Sequence, residues 1–280
     1  MSDQRLLVVD GSNLLFQMYF GMPARIINAK GDPIQGTLGF VGALLKMLRR
    51  VDPSHAVVLF DSDTPVARRE LDENYKANRP ALDEEDNPFT QLPDIYAALD
   101  LLGIQHAEIT GAETDDAIAA YALTYGGEWE VVIASFDSDF FQLITDRVSV
   151  LRYRGDNSVI LDPAAIFQKF GIRPSQYADF KSLTGDTADN IKGADKVGPK
   201  TAAALINQFG SLDALLNDPD RIEKPSIRES IKQNTERLRI NYRLIKLQNS
   251  TPLPFPVEAL AYTDKGMTTM PVLYAIGAKP

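Results

Sequence analysis

Cysteine is absent from the 280-residue chain, and histidine is nearly so, with only His55 and His106. Disulfides and thiolate metal sites are therefore excluded, and a zinc site built on several histidines is disfavoured. No apolar run approaches the roughly 18 residues that cross a bilayer, and the first residues lack the basic and apolar regions of a signal peptide. We expect a cytoplasmic protein without membrane contact.

Acidic side chains are plentiful by contrast. The formal net charge is −9, from 38 acidic and 29 basic side chains. Such a total argues against a nucleic-acid partner, unless many of the acids are gathered at one metal site.

Three apolar runs end in acids. RLLVVD, HAVVLFD and EVVIAS predict buried strands that lead to Asp10, to Asp61 and to the pair Asp137 and Asp139. Segments of helical spacing lie between them, including one over about 36–51, and VSVLRY is a candidate fourth strand. Strands that alternate with helices predict an α/β fold with a central, mostly parallel sheet and helices on both faces.

The pattern changes after about residue 162, where helical segments are separated by Gly and Pro. We expect an α/β domain over 1–161, a helical subdomain over 162–249 and a tail over 250–280 without a clear period. The segment between Asp61 and Leu92 is polar and dense in charge of both signs. Connections of this length are often functional or disordered, and a solvated loop is the simpler interpretation of this one alone.

The acids that follow the strands predict a metal site. Ligands of an open parallel sheet bind beyond the carboxyl ends of its strands, and the helix in ETDDAIAAYA adds Glu113, Asp115 and Asp116 there. One acid at a helix start is usually a cap, which would suffice for Glu113 alone. Clustered carboxylates need a counter-ion, because each raises the pKa of the others. All-oxygen ligands fit Mg²⁺ or Mn²⁺, and two ions roughly 4 Å apart can clamp a phosphodiester.

A later stretch, GDTADNIKGADKVGPKTAAALINQFG, adds Asp186 and Asp189, spaced on one face of a turn or helix start. A capping pair explains that spacing equally well. The stretch as a whole predicts a helix–hairpin–helix over about 186–209. Backbone N–H groups before its second helix, with Lys196, Lys200 and Thr201 nearby, suit a DNA backbone.

Gly193 and Gly198 also have the spacing of a nucleotide-binding P-loop. We reject that interpretation, because Pro199 separates Gly198 from Lys200 and no buried strand precedes the loop.

The candidate ligands account for the excess of acid. They number nine: Asp10, Asp61, Glu113, Asp115, Asp116, Asp137, Asp139, Asp186 and Asp189. Removing nine from 38 acids leaves 29, which equals the 29 basic residues. The net charge therefore does not exclude DNA.

Six motifs occur in the order found in the bacterial and phage 5′-nucleases, which include flap endonucleases and the N-terminal domain of DNA polymerase I. They are LLVVDGSNLLFQ, AVVLFDSD, YKANRP, GAETDDAIA, ASFDSDFFQL and GDTADNIKG with VGPKTA. The chain resembles this family from about residue 5 to 247, with every acid present, and we expect a stand-alone form.

The resemblance implies a PIN-like fold and a structure-specific nuclease. Such an enzyme cuts 5′-flap, branched or 5′-ended DNA near single-strand to double-strand junctions by a two-metal-ion mechanism. The products are a 5′-phosphate and a 3′-hydroxyl. A monomer associated with the nucleoid, with a role in replication and repair such as primer or flap removal, is implied as well.

The resemblance also implies residue roles. Asp10, Asp61, Glu113, Asp115 and Asp116 would surround one ion, with Asp10 and Asp116 catalytic. Asp137, Asp139, Asp186 and Asp189 would surround or support another. Two or more Mg²⁺ or Mn²⁺ ions are implied, with K⁺ at the hairpin. The implied DNA contacts are Tyr75, Lys76, Arg79, Lys192, Gly193, Lys196, Val197, Gly198, Lys200 and Thr201.

The polar segment at about 62–91 would form a helical arch over the active site, through which a single strand passes. Lys76 and Arg79 match the family's basic pair aimed at the scissile phosphate, and Tyr75 would stack on a base. Without the family match, Lys76 would be taken for a solvated surface lysine.

The chain departs from the family pattern at three places. Gln17 stands where many members have a basic residue, which removes a phosphate contact. Lys196 stands where glycine is usual, and lysine would be strained if the position needs a positive φ. RPALDEEDNPF is acidic where the arch would be expected to be basic.

Three other functions are compatible with parts of this pattern. A DNA-junction-binding protein that does not cut would be recognised by missing carboxylates, and none is missing. An RNA-cleaving metal nuclease shares the acidic site, although the helix–hairpin–helix favours duplex DNA. A phosphatase of small molecules would explain neither that module nor the polar segment.

Overall fold

A six-stranded sheet lies at the centre of the computed structural model, which describes residues 4–22, 24–28, 31–62, 68–78 and 87–279. Its strands are β1 Arg5–Asp10, β2 His55–Asp61, β3 Gln105–Ile109, β4 Glu130–Ala134, β5 Val148–Arg152 and β6 Val159–Leu161. The order is β3-β2-β1-β4-β5-β6, and every neighbouring pair is parallel except β5 and β6. The predicted, mostly parallel sheet is confirmed.

The strand order reverses between β1 and β4. From β1 the chain builds outward through β2 to the edge strand β3, then crosses back to place β4 on the other side of β1. Val9 is paired with Ala134 across this junction. Because connections leave such neighbouring strands in opposite directions, a crevice opens at their carboxyl ends. Asp10 and the residues after Ala134 therefore meet at this crevice.

Helices cover both faces of the sheet, as predicted. In this part of the chain they are α1 Gly11–Gly21, α2 Gln35–Val51, α3 Arg68–Leu71, α4 Leu92–Leu102 and α5 Thr114–Tyr125. One buried cluster joins Leu7, Val9 and Phe60 to α1, α2 and α4. Another joins Leu6 and Val8 to α5 and to the helical part of the chain. Alternate residues of β1 thus serve opposite cores, as a strand buried on both faces requires.

The second part of the chain is helical, as predicted. Its elements are α6 Pro163–Phe170, α7 Tyr177–Thr184, β7 Gly185–Asp186, β8 Ile191–Lys192, α8 Pro199–Phe209, α9 Leu212–Asn217, α10 Pro225–Gln233 and α11 Thr235–Ile245. The hairpin between α7 and α8 contains the two short antiparallel strands β7 and β8. Asp186 therefore lies in a strand and Asp189 in the turn that follows, not at a helix start.

Shorter 3₁₀ segments connect these elements, at Pro88–Gln91, Asp139–Leu143, Pro174–Gln176, Pro219–Arg221 and Val257–Leu260. Within the described ranges, no helix is long and apolar enough to cross a membrane.

The tail packs against the α/β part, although its sequence shows no period. Ala261 forms a bridge with His55, and the Tyr121 hydroxyl donates to the carbonyl of Phe255 at 2.8 Å. Helix α12, Thr269–Ala275, lies on α2. Its Leu273 is fully buried in a small cluster with Ile34. The tail is therefore part of the folded core of the α/β part of the chain.

Candidate metal centre

Asp10 ends β1 and caps α1 at the crevice. One carboxylate oxygen, Oδ1, accepts the backbone N–H of Asn13 at 3.0 Å, and Oδ2 accepts the Ser135 hydroxyl at 2.8 Å. Only 5% of the residue is exposed. Burial, followed by the nearby charge of Asp61, raises the pKa of Asp10 to about 7. A cation beside it would favour the ionised form.

Asp137 and Asp139 follow β4 on the other side of the crevice. Asp137 Oδ1 accepts the backbone N–H of Asp139 at 2.8 Å, while the N–H of Asp137 donates to Ser135 Oγ at 3.0 Å. Burial raises the pKa of both carboxyl groups, and Asp137 raises that of Asp139 further. Asp139 Oδ1 is buried without a hydrogen-bond partner among the described residues.

Aromatic residues hold this pair in place. Phe140 and Phe141 in the 3₁₀ segment after Ser138 are fully buried, and Leu143 nearly so. These residues anchor the two acids in the core, since apolar burial is not available to a mobile loop.

Glu113 occupies the N-cap position directly before α5, but its side chain makes no capping hydrogen bond. Its Oε2 atom contacts the Arg68 guanidinium, and it lies 3.2 Å from Lys76 Nζ and 3.3 Å from the Tyr75 hydroxyl. Burial raises the pKa of Glu113, but Arg68 and Lys76 together hold it below its ordinary value. The other oxygen, Oε1, is buried and has no hydrogen-bond partner in the described part of the chain. The simple cap interpretation of Glu113 is therefore wrong.

The next acids of α5 face in two directions. Asp116 Oδ1 accepts from Arg68 at 2.8 Å and from the backbone N–H of Gln248 at 3.0 Å. Burial raises the pKa of Asp115 well above its ordinary value, and the charges of Asp137 and Asp10 raise it further. Asp115 is thus within electrostatic reach of the acids that end β1 and follow β4.

The hairpin of the helical part delivers the last two acids. Asp186 contacts the ammonium group of Lys181, and the Tyr75 hydroxyl donates to Asp189 Oδ2 at 3.5 Å. The charges of Asp186 and Asp189 both raise the pKa of Asp139. The nine acids therefore form one electrostatically connected group, in which Asp61 takes part through Asp10.

This group fits a hard divalent cation by its chemistry. Every donor is a carboxylate, and the unpartnered oxygens of Glu113 and Asp139 provide buried ligands of the kind that Mg²⁺ or Mn²⁺ takes. Three basic side chains, Arg68, Lys76 and Lys181, already contact acids of the group. Across the ranges that the structure describes, no three carboxylates stand close enough together to share one ion. The division of the nine ligands between two ions therefore stays a prediction.

Lys76 lies where the prediction requires, beside the acids. Its backbone has a positive φ of 56°, and its N–H donates to the carbonyl of Asp189 at 3.0 Å. Such a backbone is costly for a residue other than glycine, and strain of this kind is common at functional sites. Its predicted contact with a phosphate stays a prediction.

Two other predictions about the polar segment need comment. Tyr75 is only 3% exposed and packs with Ile191, Leu244 and Ile245. The ring is buried against these residues in the DNA-free structure, and its predicted stacking on a base stays a prediction. Arg79 and residues 63–67 and 80–86 of the expected arch lie outside the described residues.

The residues predicted to hold DNA at the hairpin fall into two groups. Lys192, Lys196, Gly198 and Lys200 are exposed, and Thr201 lies in the first turn of α8. Lys196 has a φ of 66°, so the expected strain at this glycine-like position is confirmed. Lys192 Nζ lies 3.3 Å from Asp195.

Gly193 and Val197 also have structural roles. A Cβ atom on Gly193 would lie 2.4 Å from the carbonyl oxygen of Leu183, so glycine is needed for close packing at the end of α7. The Val197 side chain is buried in the main core. The predicted phosphate contact at this stretch is through backbone N–H groups, and it stays a prediction.

Three residues important to the centre were missed from the sequence. Arg68 and Lys181 bind acids, and Ser135 bridges the two strand ends. The only signal for Ser135 was its position directly after EVVIA. Arg68 stood among charges of both signs, without a pattern to separate it from its neighbours.

With the fold and the acids established, the chain can be compared with known proteins. Residues 5–171 match the family described as 5′-3′ exonuclease, N-terminal resolvase-like domain, and residues 172–267 match that described as 5′-3′ exonuclease, C-terminal SAM fold. The chain belongs to the 5′-3′ exonuclease family.

Relatives of known sequence agree. The chain is 39% identical over 250 residues to the thermostable DNA polymerase I of Thermus aquaticus, covering 89% of this chain and 29% of that protein. It thus spans less than a third of the polymerase. It is 30% identical over 256 residues to the 5′-3′ exonuclease of Aquifex aeolicus, covering 91% of this chain and 86% of that protein.

Solved structures show the same fold. T5 5′-exonuclease with bound zinc has a TM-score of 0.73 at 23% identity, covering 98% of this chain and 97% of that one. Human GEN1 in complex with Holliday junction DNA has a TM-score of 0.61 at 16% identity, covering 97% and 71%.

Proposed function

We propose that the chain is a structure-specific 5′-nuclease, which hydrolyses DNA phosphodiesters near single-strand to double-strand junctions as a flap endonuclease and 5′-3′ exonuclease. The observation that carries the proposal is the joining of acids from two parts of the chain. Asp10, Asp115 and Asp137 come from the sheet side and Asp186 and Asp189 from the hairpin that follows α7. A strand of DNA held by that hairpin would thereby be placed against the acids.

Mg²⁺ or Mn²⁺ is the cofactor that we propose, bound by the nine carboxylates named above. When bound, the ions supply charge compensation for the acids and a Lewis acid for the phosphodiester. The finer assignments, two ions and K⁺ at the hairpin, are proposed from the family resemblance. A likeness to T5 structures that hold metal ions is consistent with a divalent cofactor.

The chain's own residues position these groups. Ser135 holds Asp10 and the backbone of Asp137 at a set distance through two hydrogen bonds. Lys76 brings a positive charge to the acids, 3.2 Å from Glu113, where a phosphate that approached them would otherwise be repelled. We propose that Lys76 transfers from Glu113 to the phosphate when DNA binds.

DNA as the partner is supported by the likeness to T5 flap endonuclease crystallised with DNA and metal ions, and to the catalytic core of Rad2 with a DNA substrate. We further propose that a single copy of the chain acts on DNA at the nucleoid, since all nine acids come from one chain.

Cleavage of a labelled 5′-flap DNA in Mg²⁺ tests the proposal. The wild-type protein is expected to cut near the junction, and Asp137→Asn to bind the flap without cutting it. Asp100→Asn is the control, because its side chain is 76% exposed near the end of α4, where it lies 3.9 Å from His106 and not among the nine acids. Absence of cleavage in both Mg²⁺ and Mn²⁺, with DNA still bound, would favour a junction-binding protein. Faster cleavage of an RNA flap would favour the RNA nuclease.

Lys76→Ala separates its role in cleavage from a role in binding. The cleavage rate is expected to fall far more than the affinity for the flap. A loss confined to affinity would count against the proposed transfer to the phosphate.

A further inference from the structure

Two arginines converge on one aromatic ring at the rim of the metal centre. Arg152 is the last residue of β5, and Arg154 follows it. Their guanidinium groups lie 5.9 and 5.2 Å from the ring centroid of Phe136, the residue before Asp137. Arg152 also donates to the carbonyl of Phe136 at 2.9 Å. The two positive charges therefore flank the segment that delivers Asp137.

Neither arginine forms a close ion pair with a carboxylate in the described part of the chain, although the charge of Asp137 reaches Arg152. The ion pairs of the described residues are formed by other basic side chains. Arg152 Nε is buried and has no hydrogen-bond partner among those residues. Burial lowers the pKa of Arg152, whereas Tyr177 and Asp137 act in the opposite direction, and the charge of Arg154 lowers it slightly further. Because both guanidinium groups lie over the Phe136 ring, their like charges repel, and an anion beside them would reduce that repulsion.

Helix α1, which lies beside Arg152 and Arg154, has no charged side chain. Gln17 donates through Nε2 to the carbonyl of Tyr153 at 2.7 Å, between the two arginines in the chain. That amide nitrogen is therefore engaged with backbone, and α1 contributes no charge at this point.

We propose that Arg154, with Arg152 at the same phenyl ring, binds a phosphate of the DNA strand that enters the metal centre. This inference rests on the proposed function. A guanidinium over a phenyl ring keeps its N–H edge free for a phosphate, which it can bind with two parallel hydrogen bonds. Arg154 is exposed and can reach the strand, while Arg152 is fixed by its bond to Phe136. The pair would attract the backbone to a rim that the acids otherwise make repulsive.

Fluorescence anisotropy with a labelled 5′-flap DNA, in EDTA and over a series of NaCl concentrations, tests this phosphate site. Loss of one phosphate contact lowers the slope of log affinity against log salt by about 0.7–0.9. Arg154→Gln is expected to show that change, with about fivefold weaker binding at low salt. Arg152→Gln is expected to act in the same direction, with its folding checked by thermal melting.

Arg221→Gln is the matched control. Its guanidinium also lies 5.2 Å from a phenyl ring, that of Phe209, but at the end of α8 opposite the hairpin. Its affinity and salt slope are expected to equal those of the wild-type protein.

A charge-restoring variant makes the test specific to position. Gln17→Arg added to Arg154→Gln is expected to recover most of the lost affinity and slope, because residue 17 contacts the backbone between the two arginines. Unchanged slope in Arg154→Gln, with wild-type binding and cleavage intact, would overturn the phosphate site alone. Failure of the wild-type protein to bind or cut the flap would overturn the proposed function as well.

Discussion

Asp10 Oδ2 and Ser135 Oγ lie 2.8 Å apart and join the end of β1 to the loop after β4. The same Ser135 oxygen accepts the backbone N–H of Asp137 at 3.0 Å. One hydroxyl therefore connects acids from two strands at the point where the strand order reverses. The separation of these acids is set by backbone that is itself fixed in the sheet, which is the rigid support that a catalytic site needs.

The stability of the metal-free protein is expected to fall as the pH rises from 4 to 7. The pKa of Asp10 is about 7 in the folded protein against an ordinary 3.8. Between these values the folded protein keeps a proton that the unfolded chain has released, so folding loses free energy with rising pH. The loss is complete above pH 7 and amounts to on the order of 2–4 kcal/mol.

Urea unfolding in EDTA at several pH values measures this dependence. Asp10→Asn is expected to flatten it, whereas Asp213→Asn should leave it unchanged, because the Asp213 side chain is 72% exposed. An equally steep dependence in Asp10→Asn would contradict the assignment to Asp10.

Replacing Arg68 is expected to destabilise the metal-free protein strongly. Arg68→Met removes the partner of the buried Glu113 carboxylate and of the half-buried Asp116 carboxylate, which costs about 3 kcal/mol or more. Addition of Mg²⁺ is expected to recover part of this loss, since a cation compensates the same carboxylates. The free energy of unfolding, measured with urea, checks both expectations.

Arg237→Met serves as the control for Arg68. It pairs with Asp72 at 3.5 Å but is 46% exposed, so its replacement is expected to cost less than about 1 kcal/mol. Equal losses in the two variants would show that burial of the Arg68 pairs is unimportant.

Replacement by alanine is expected to change the stability of the protein very differently at two glycines of the hairpin. In Gly193→Ala the new Cβ would meet backbone atoms of Leu183 and Gly185 at 2.4 and 2.6 Å, at a cost of about 2–3 kcal/mol. Gly198 has no atom within 4 Å of that position and an ordinary φ of −84°, so Gly198→Ala is expected to change stability by less than about 0.5 kcal/mol. Thermal melting of the two variants distinguishes them, and similar melting temperatures would contradict the packing role of Gly193.

Glycine is expected to stabilise the protein at position 196. Lys196→Gly removes the strain of a φ of 66° but gives the unfolded chain more freedom, for a net gain of about 0.5 kcal/mol. Lys192→Gly, in strand β8, is expected to lose about 0.5–1 kcal/mol instead. Urea denaturation measures both, and a loss at position 196 would show that the lysine makes compensating contacts.

The sequence was sufficient to predict the sheet and its acids where strands are buried on both faces. β1, β2 and β4 are continuous apolar runs, and their parallel arrangement places the residues that follow them at one edge. β3 was missed because it is an edge strand, in which Ile109 alone is buried, so QHAEI has no apolar run. Alternation and apolar content reveal a strand only when its side chains are buried. An edge strand such as β3 buries few side chains, so its sequence shows neither signal.

Tertiary contacts decided the rest of the site. Tyr75 is a single aromatic residue in a polar segment, and nothing around it in the sequence predicts burial. It is buried because the hairpin and α11 supply Ile191, Leu244 and Ile245 from far along the chain. The ion pairs of Arg68 were missed for the same reason, because its partners Glu113 and Asp116 are more than forty residues away in sequence.

The packing of Leu273 on Ile34 also sets an order of events during synthesis. Ile34 is 1% exposed in the folded protein and shares its cluster with Leu273 and Ala278. At ribosomal rates of about 5–20 residues per second, Ile34 waits roughly 12–48 s for its partner to be made. The sheet can form earlier, but during that interval the outer surface of α2 remains an apolar surface that chaperones can bind.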